Sequence, residues 1–534
     1  MTIGTWSIAL VFLALVAAPA AWSHEATNAP GRIGKVSFPT SCNPAVQQEF
    51  ERAVALLHSF WYLESAKAFT AVVQADPDCA IGYWGIAMSL WYQIWSPPSP
   101  ANLKRGAEAI DRAKAIGAKT PRERDYIAAA DAFFHDADRV DHRARAALYE
   151  KAMEQVYIKY PQDAEAAAFY ALALQATADP HDRTYAKQRR SAEIVEKIFI
   201  AQSDHPGAAH YMIHAYDYPT LAARAVPAAA RYAQFAPSVP HALHMPSHTY
   251  VLLGMWPETI QSNVAAAAAE KDRGNPDDRM HALDYLVYAY LQQAQDVEAQ
   301  RVVNEARGIM SELAARQYDS GRPTAHFAIA AIEARFTLER GRWSEAAALE
   351  PRPNRFAHTE AMIYFARAVG AARSGQPAQA RADVQKLAAL RDALKDPYWA
   401  EQVEIERRIA ASWLARAEGR NEEALALARS AAETEDATEK HNITPGPIAT
   451  ARELLGDLLV DLGQPGAAVR EYEASLTRAP NRFKSLAGVA RAAELSGDRD
   501  KAKVFYGRLV LLAQPADGER PELKQAKAVL GTSR

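Results

Sequence analysis

Apolar residues recur every three to four positions along most of the chain, the spacing that places them on one face of an α-helix. The pattern is clear in AEAIDRAKAI, RDYIAAADAFF, AALYEKAMEQVYI and AEAAAFYALALQA, all between residues 101 and 204. No segment combines the apolar–polar alternation of a β-strand with the turn residues of a β-hairpin. The sequence therefore predicts an all-α protein.

A longer period groups the predicted helices into pairs. Glycine is followed five residues later by alanine at intervals of 34, 44, 44 and 34 residues, starting at Gly341, Gly375, Gly419, Gly463 and Gly497. Glycine permits the turn between two helices, and alanine lets the second helix pack closely on the first. A tetratricopeptide repeat is a pair of antiparallel helices of about 34 residues. We expect about ten such hairpins in a tetratricopeptide-repeat-like solenoid.

Changes in these patterns divide the chain into five predicted segments. An apolar run from Ile8 to Ala17, followed by small residues, is typical of a signal peptide. Pro, Gly, Ser and Asn dominate the segment that follows it, which predicts an extended stretch. The segments are a signal peptide at 1–23, an extended lead-in at 24–44, N-terminal helical hairpins at 45–204, His-rich central repeats at 205–300 and C-terminal tetratricopeptide repeats at 301–534.

Export follows from the predicted signal peptide, so we expect the protein in the periplasm or outside the cell, with an uncleaved N-terminal anchor as the alternative. No later segment has the roughly 18 uninterrupted apolar residues of a membrane span. The chain has two cysteines, Cys42 and Cys79, which in an exported protein predict a disulfide, the alternative being two separate buried thiols. The net charge of -3 argues against binding to nucleic acid.

Histidines are concentrated in the middle of the chain, where seven of the fifteen fall between residues 205 and 288. His210 and His214 form one i, i+4 pair, and His244 and His248 form a second pair 34 residues later. Because 34 residues is one repeat, the two pairs occupy equivalent positions on neighbouring helices. We therefore predict that these four side chains converge in the concave groove.

Such a cluster predicts a site for one transition-metal ion, since imidazole binds Zn, Cu, Ni or Fe, which the sequence does not distinguish. Extending the repeat register from Met280 places Asp284 and Tyr288 in the same columns as the histidines. The predicted ligands are His210, His214, His244 and His248, and the candidate additional ligands or orienting partners are His205, Asp217, His241, Asp284 and Tyr288. Two alternatives stay open: a polar groove that holds a ligand without metal, and a purely structural role.

Pro246 lies between the members of the second histidine pair, inside the expected helix. Proline removes a backbone hydrogen bond and clashes with the preceding turn. The helix therefore either kinks at this point or begins at Pro246, and in the second case His244 lies on the preceding turn.

The motifs HPGAAHYMIHA (205–215) and HMPSHTY (244–250) resemble those of a family of exported bacterial tetratricopeptide-repeat proteins. DPDCAIGYWGIAMS (76–89) and PGPIATARELLGDLL (445–459) extend the similarity to nearly the whole mature chain. The resemblance implies an exported helical-repeat fold and no particular reaction.

These observations predict a scaffold that binds a protein or peptide partner and carries a metal site in its groove. The alternative is a metal-dependent enzyme, a hydrolase or an oxidoreductase, whose catalytic residues the sequence does not identify. Such an enzyme needs an open coordination position and a nearby acid or base. The candidates for that acid or base are Asp217, Asp284, Tyr211 and Tyr288.

Overall fold

The computed structural model describes residues 31–94 and 97–531. In these ranges the regular elements are helices and none is a strand, which confirms the prediction of an all-α protein. The predicted signal peptide and the lead-in up to residue 30 lie outside the described residues. The rest of the lead-in has no regular structure before the short 3-10 helix Pro44–Val46.

The N-terminal part forms four hairpins in which consecutive helices pack against each other. Asp163 begins one of these helices because its carboxylate accepts the backbone N–H groups of Glu165 and Ala166, two donors that the first turn leaves without a partner. The eight helices are α1 (Gln47–His58), α2 (Tyr62–Ala75), α3 (Ala80–Met88), α4 (Pro100–Ile116), α5 (Pro121–Phe134), α6 (His142–Lys159), α7 (Ala164–Ala176) and α8 (Ala186–Ala201).

The central part forms three hairpins, and the first helix of the second hairpin is divided in two. Several of these helices begin with proline, whose fixed φ suits the first helical position and whose missing N–H has no partner to lose there. The helices are α9 (Pro206–Ala215), α10 (Val226–Phe235) after a 3-10 turn at Ala222–Ala225, α11 (Pro240–His244), α12 (Pro246–Leu253), α13 (Trp256–Arg273), α14 (Pro276–Gln292) and α15 (Asp296–Ala315).

Five further hairpins and a final helix complete the C-terminal part. The five glycines of the repeating Gly–Ala pattern all have φ between 62° and 87°, the left-handed region that glycine tolerates in a tight turn. The helices are α16 (Thr324–Leu338), α17 (Trp343–Ala347), α18 (Ala357–Arg373), α19 (Pro377–Ala393), α20 (Pro397–Ala417), α21 (Asn421–Ala437), α22 (Ala451–Asp461), α23 (Pro465–Arg478), α24 (Phe483–Leu495), α25 (Arg499–Leu512) and α26 (Pro521–Leu530).

The described part of the chain is thus a tetratricopeptide-repeat-like solenoid of twelve hairpins and a last helix, against the expected number of about ten. It curves until its C-terminal end contacts the central hairpins. The carboxylate of Asp517 accepts hydrogen bonds of 3.0 Å from the backbone N–H groups of Val297 and Glu298, at the start of α15. Arg520 forms an ion pair with Asp296 in the same place.

The segment between α21 and α22, residues 438–450, crosses to the central hairpins. Lys440 donates from Nζ to Asp217 at 2.8 Å, just beyond the end of α9. Thr444 and Gly446 accept hydrogen bonds from Arg335, which lies on α16 and is buried. We call this segment the crossing loop.

Cys42 and Cys79 form a disulfide, as the sequence predicts. The bond encloses the α1–α2 hairpin in a loop with a sequence separation of 37 residues. Closing such a loop stabilises a protein by roughly 3 to 4 kcal/mol on the chain-entropy model. Among the helices of residues 31–94 and 97–531, none is both long and apolar enough to cross a membrane.

Candidate metal centre

Six histidines from three neighbouring hairpins meet in one cluster. Successive ring centroids along the cluster lie 4.4 to 5.6 Å apart. Five of the six rings are buried, and His241 is partly exposed. The cluster contains the four predicted ligands and two more, in the order His241, His210, His214, His248, His244 and His281.

Pro246 divides the helix that carries three of these histidines. His241 and His244 end α11, and His248 lies on α12, which begins at Pro246. Met245 between them keeps helical angles, with φ −53° and ψ −37°. The chain therefore passes through a kink that preserves the helical direction of His244, which combines the two alternatives left open by the sequence.

The first triad consists of His210, His214 and His241, whose candidate ligand atoms all lie within 4.8 Å of one another. The Nδ1 of His210 lies 2.7 Å from the carbonyl oxygen of His58, so this nitrogen is the donor. The Nε2 of His210 faces the Nε2 of His241 at 3.1 Å. The ring of Phe60 covers this triad, with its centroid 4.3 Å from that of His210.

The second triad consists of His244, His248 and His281, whose candidate ligand atoms also lie within 4.8 Å of one another. His244 donates from Nδ1 to the Oδ1 of Asn263 at 2.7 Å, and His248 donates from Nδ1 to the Oδ2 of Asp217 at 2.9 Å. The amide of Asn263 is fixed in this orientation because its Nδ2 donates to the Thr259 carbonyl at 2.8 Å.

These hydrogen bonds leave two lone pairs facing each other. A neutral imidazole that donates from Nδ1 carries a lone pair on Nε2. The Nε2 atoms of His244 and His248 are 3.1 Å apart. Burial lowers the pKa of His244 to about 4 and that of His248 well below its usual value, so both rings are neutral at pH 7. The contact is repulsive unless a cation lies between the two nitrogens.

The spacing fits a metal ion. With metal–nitrogen bonds of about 2.0 to 2.1 Å, a tetrahedral site places its nitrogens about 3.3 Å apart. Both Nε2–Nε2 distances, 3.1 Å in each triad, are close to that value. Backbone, amide and carboxylate acceptors on the opposite ring nitrogens are the usual orienting partners of metal-bound histidine.

Asp217 connects the two triads. One of its oxygens, together with nitrogens of His214 and His248, forms a third group of ligand atoms within 4.8 Å. Its Oδ2 accepts from both His248 and Lys440, at 2.9 and 2.8 Å. Its carboxylate therefore orients His248, and its charge is balanced by Lys440 of the crossing loop.

Two of the candidate ligands are engaged elsewhere. Asp284 forms a buried ion pair with Arg335, and Tyr288 accepts a 2.6 Å hydrogen bond from Arg482. His281 and Tyr285 take the positions assigned to them, because the hairpin that begins with α11 spans 37 residues from His244 to His281. The signal that identifies the correct register is that His281 and Tyr285 repeat the i, i+4 spacing.

A separate buried cluster consists of His58, Glu165 and His205. The carboxylate of Glu165 accepts from the Nε2 of His58 at 2.6 Å and from the Nε2 of His205 at 3.1 Å. The remaining nitrogen of His58 accepts from Tyr211 at 2.8 Å, and that of His205 accepts from the N–H of Ala208 at 3.1 Å. His205 thus begins α9 and does not face the six histidines.

Burial alone would raise the pKa of Glu165, but the two histidines outweigh it and hold that pKa below its usual range. Glu165 is therefore ionised, and both rings donate to it. Sequence reasoning missed this cluster because His58 and Glu165 lie on α1 and α7, far along the chain from His205 and outside the repeating histidine pattern.

No protein-family model matches the chain, and no curated protein matches it in sequence. Among solved structures, a tetratricopeptide repeat protein from Parabacteroides merdae is 12% identical, covers 55% of this chain and 98% of its own, and has a TM-score of 0.30. The human IFIT1 dimer with m7Gppp-AAAA is 11% identical, with 81% and 90% covered and a TM-score of 0.40. Yeast Tom70 is 11% identical, with 91% and 95% covered and a TM-score of 0.35. These likenesses concern the fold alone.

Proposed function

We propose that the protein binds two transition-metal ions, one in each histidine triad. The observation that carries the proposal is the pair of Nε2–Nε2 contacts at 3.1 Å. Three of the four nitrogens in these contacts have their Nδ1 proton fixed by a protein acceptor, so their lone pairs face inward. A bound cation converts this repulsion into coordination.

Imidazole suits Zn, Cu, Ni and Fe, and three imidazoles per ion leave a fourth position open. This differs from the single ion expected from the sequence, because His241 and His281 complete two separate sets of three. The partial exposure of His241 provides a route for an ion into the first triad.

Metal analysis of protein expressed without a polyhistidine tag tests the proposal. We expect two equivalents of metal per chain, and about one equivalent after His244→Ala, which removes one ligand of the second triad. His181→Ala is the control, since this exposed histidine lies outside both triads and its loss leaves two equivalents. Less than one equivalent in the parent protein contradicts the proposal.

We further propose that the solenoid is an exported scaffold for a protein or peptide partner. Curved helical-repeat arrays present extended concave surfaces for binding. The Cys42–Cys79 disulfide supports export, since such bonds persist in oxidising compartments. Cell fractionation of the untagged full-length chain tests the location, with the protein expected in the periplasm or the medium and contradicted by its recovery from the cytoplasm with reduced cysteines.

A metal-dependent hydrolase or oxidoreductase is the second candidate, and the observation that favours it is the open position that three ligands leave on each ion. Tyr285 is the nearest proton donor, with its hydroxyl 3.4 Å from the Nε2 of His248. Azide added to the Cu²⁺-loaded protein tests for an open position. A new absorption band is expected for an enzyme, and an unchanged spectrum excludes an accessible open site.

A further inference from the structure

A second candidate site lies on the other side of the crossing loop from the metal centre. It is a cavity of about 1140 Å³, partly open to solvent, between α16, α18, α20 and the crossing loop. None of the six histidines lines it. One wall is aromatic, with the rings of His358 and Trp399 stacked 4.2 Å apart and Phe327 lying 5.9 Å from Trp399. Such walls hold alkyl chains, and their ring faces attract cations.

Several charged side chains that line the cavity are already paired within the protein. Asp436 forms an ion pair with Arg452 at 2.6 Å. Glu439 forms one with Arg478 at 3.3 Å. These four groups therefore present little net charge to a ligand.

Glu406 and Glu435 differ from those groups, because neither forms an ion pair within the part of the chain that the structure describes. Glu435 accepts a 2.9 Å hydrogen bond from the backbone N–H of Ala451. The Oε2 of Glu406 is buried, and it has no hydrogen-bond partner among the described residues. A buried carboxyl oxygen without a donor is costly, and a cationic ligand supplies the missing donor.

The electrostatics agree with this geometry. Burial raises the pKa of Glu406 to about 8, and the charge of Glu435 raises it further in the same direction. Burial also raises the pKa of Glu435, to about 7. An ammonium group bound between them would favour the ionised carboxylates.

We propose that this cavity binds a primary alkylammonium group, with its charge at Glu406 and Glu435 and its alkyl chain along His358 and Trp399. Two sources carry this chemistry: the lysine side chain of a protein partner and a free alkyl diamine. The proposal is independent of the metal centre, and its lysine form specifies the partner of the proposed scaffold.

Calorimetric titration of the full chain with n-pentylammonium tests the site. We expect saturable binding that is at least about tenfold tighter than that of 1-pentanol, because only the ammonium can pair with the carboxylates. The double variant Glu406→Gln/Glu435→Gln should lose at least about tenfold in affinity. Glu433→Gln is the matched control, since Glu433 is exposed on the same helix, α21, and should bind as the parent does.

Trp399→Leu provides a second variant that keeps both carboxyl groups. It should weaken n-pentylammonium by about threefold to tenfold through the lost ring face. Melting curves of each variant establish that it is folded before its affinity is compared. Equal binding of pentanol and pentylammonium, unchanged binding by the folded double variant, or no binding at millimolar pentylammonium overturns the proposal.

Two further probes distinguish the sources. Tighter binding of N-acetyl-lysine-N-methylamide than of 1,5-diaminopentane identifies a protein lysine as the ligand. The reverse order identifies a free diamine. Both results support an ammonium site, whereas stronger competition by Ca²⁺ than by either amine assigns the carboxylates to a metal ion and overturns it.

Discussion

The six-histidine cluster and the His58–Glu165–His205 cluster use the same side chain at similar burial, and they differ in what faces the ring nitrogens. In the second cluster, each nitrogen of His58 and His205 has a protein donor or acceptor. In the first, the Nε2 atoms of His244 and His248 face each other at 3.1 Å. One cluster is complete as folded, and the other requires a cation.

The carboxylates explain this difference. Glu165 is ionised between two histidines and accepts both of their protons. Asp217 lies beside the triads, but its charge is balanced by Lys440 and its Oδ2 is occupied on the outer side of His248. A histidine cluster is therefore a metal candidate when its acceptors orient the rings from outside, and a structural element when the acceptor lies among the rings.

Metal removal should have the largest effect on the comparison. A ligand that binds only the folded state at 1,000 times its Kd stabilises it by about 4 kcal/mol for each site. Chelation should therefore lower the free energy of unfolding by about that amount per triad, as measured by denaturant titration with and without added metal. An identical free energy of unfolding in both conditions contradicts metal occupancy of the triads.

Glu165→Ala should break the other cluster without metal. Removing one partner of a buried charge network typically costs about 3 to 5 kcal/mol, because the N–H groups of His58 and His205 lose their acceptor. We expect this loss in chemical denaturation of both metal-free and metal-loaded protein. Glu193→Ala, at an exposed position of α8, is the control that should change the stability little. A loss confined to the metal-loaded protein would show that Glu165 serves the metal.

The two clusters should also differ in their pH dependence. The pKa of His244 is lowered from 6.5 to about 4, so between these values the unfolded chain binds more protons and stability falls as the pH falls. His244→Gln should remove a slope of at most about 1.4 kcal/mol per pH unit from metal-free protein in this window.

The pKa of Glu165 is lowered from 4.5, so the stability that this group contributes is present above pH 4.5 and lost below it. Glu165→Gln should therefore alter the slope only below about pH 4.5. Urea denaturation at a series of pH values separates the two windows, and a change in the same window for both variants contradicts the assignment.

The smallest predicted effect concerns the residues that orient the rings. Asn263→Leu removes the acceptor of His244 and should weaken metal binding to the second triad by about 10- to 100-fold. Asn263→Asp, which keeps an acceptor oxygen, should restore most of the affinity. Competition titration against a chelator measures both, and equal weakening by the two variants would indicate a packing defect instead of lost orientation.

Local patterns in the sequence predict most of the fold. The helical period and the Gly–Ala spacing identify the hairpins, and the 34-residue interval identifies two of the histidine pairs. That interval fails at the next hairpin, where α13 and the turn after it lengthen the repeat to 37 residues, so the register extended to Asp284 and Tyr288 overlooked His281 and Tyr285.

Other parts of the site depend on packing between distant segments, which periodicity does not encode. His58 contacts Glu165 across 107 residues of sequence, and Lys440 contacts Asp217 across 223 residues. The crossing loop has no repeat pattern of its own, yet it supplies the charge that balances Asp217. Only the curvature of the whole solenoid brings these residues together.

Anomalous scattering from crystals of metal-loaded protein, collected at the absorption edge of the bound metal, tests the central claim most directly. The account predicts two peaks, one within about 2.0 to 2.2 Å of nitrogens from His210, His214 and His241 and the other at the same distance from His244, His248 and His281. It predicts no peak among His58, Glu165 and His205. A peak at that cluster, or none at either triad at full metal loading, would contradict it.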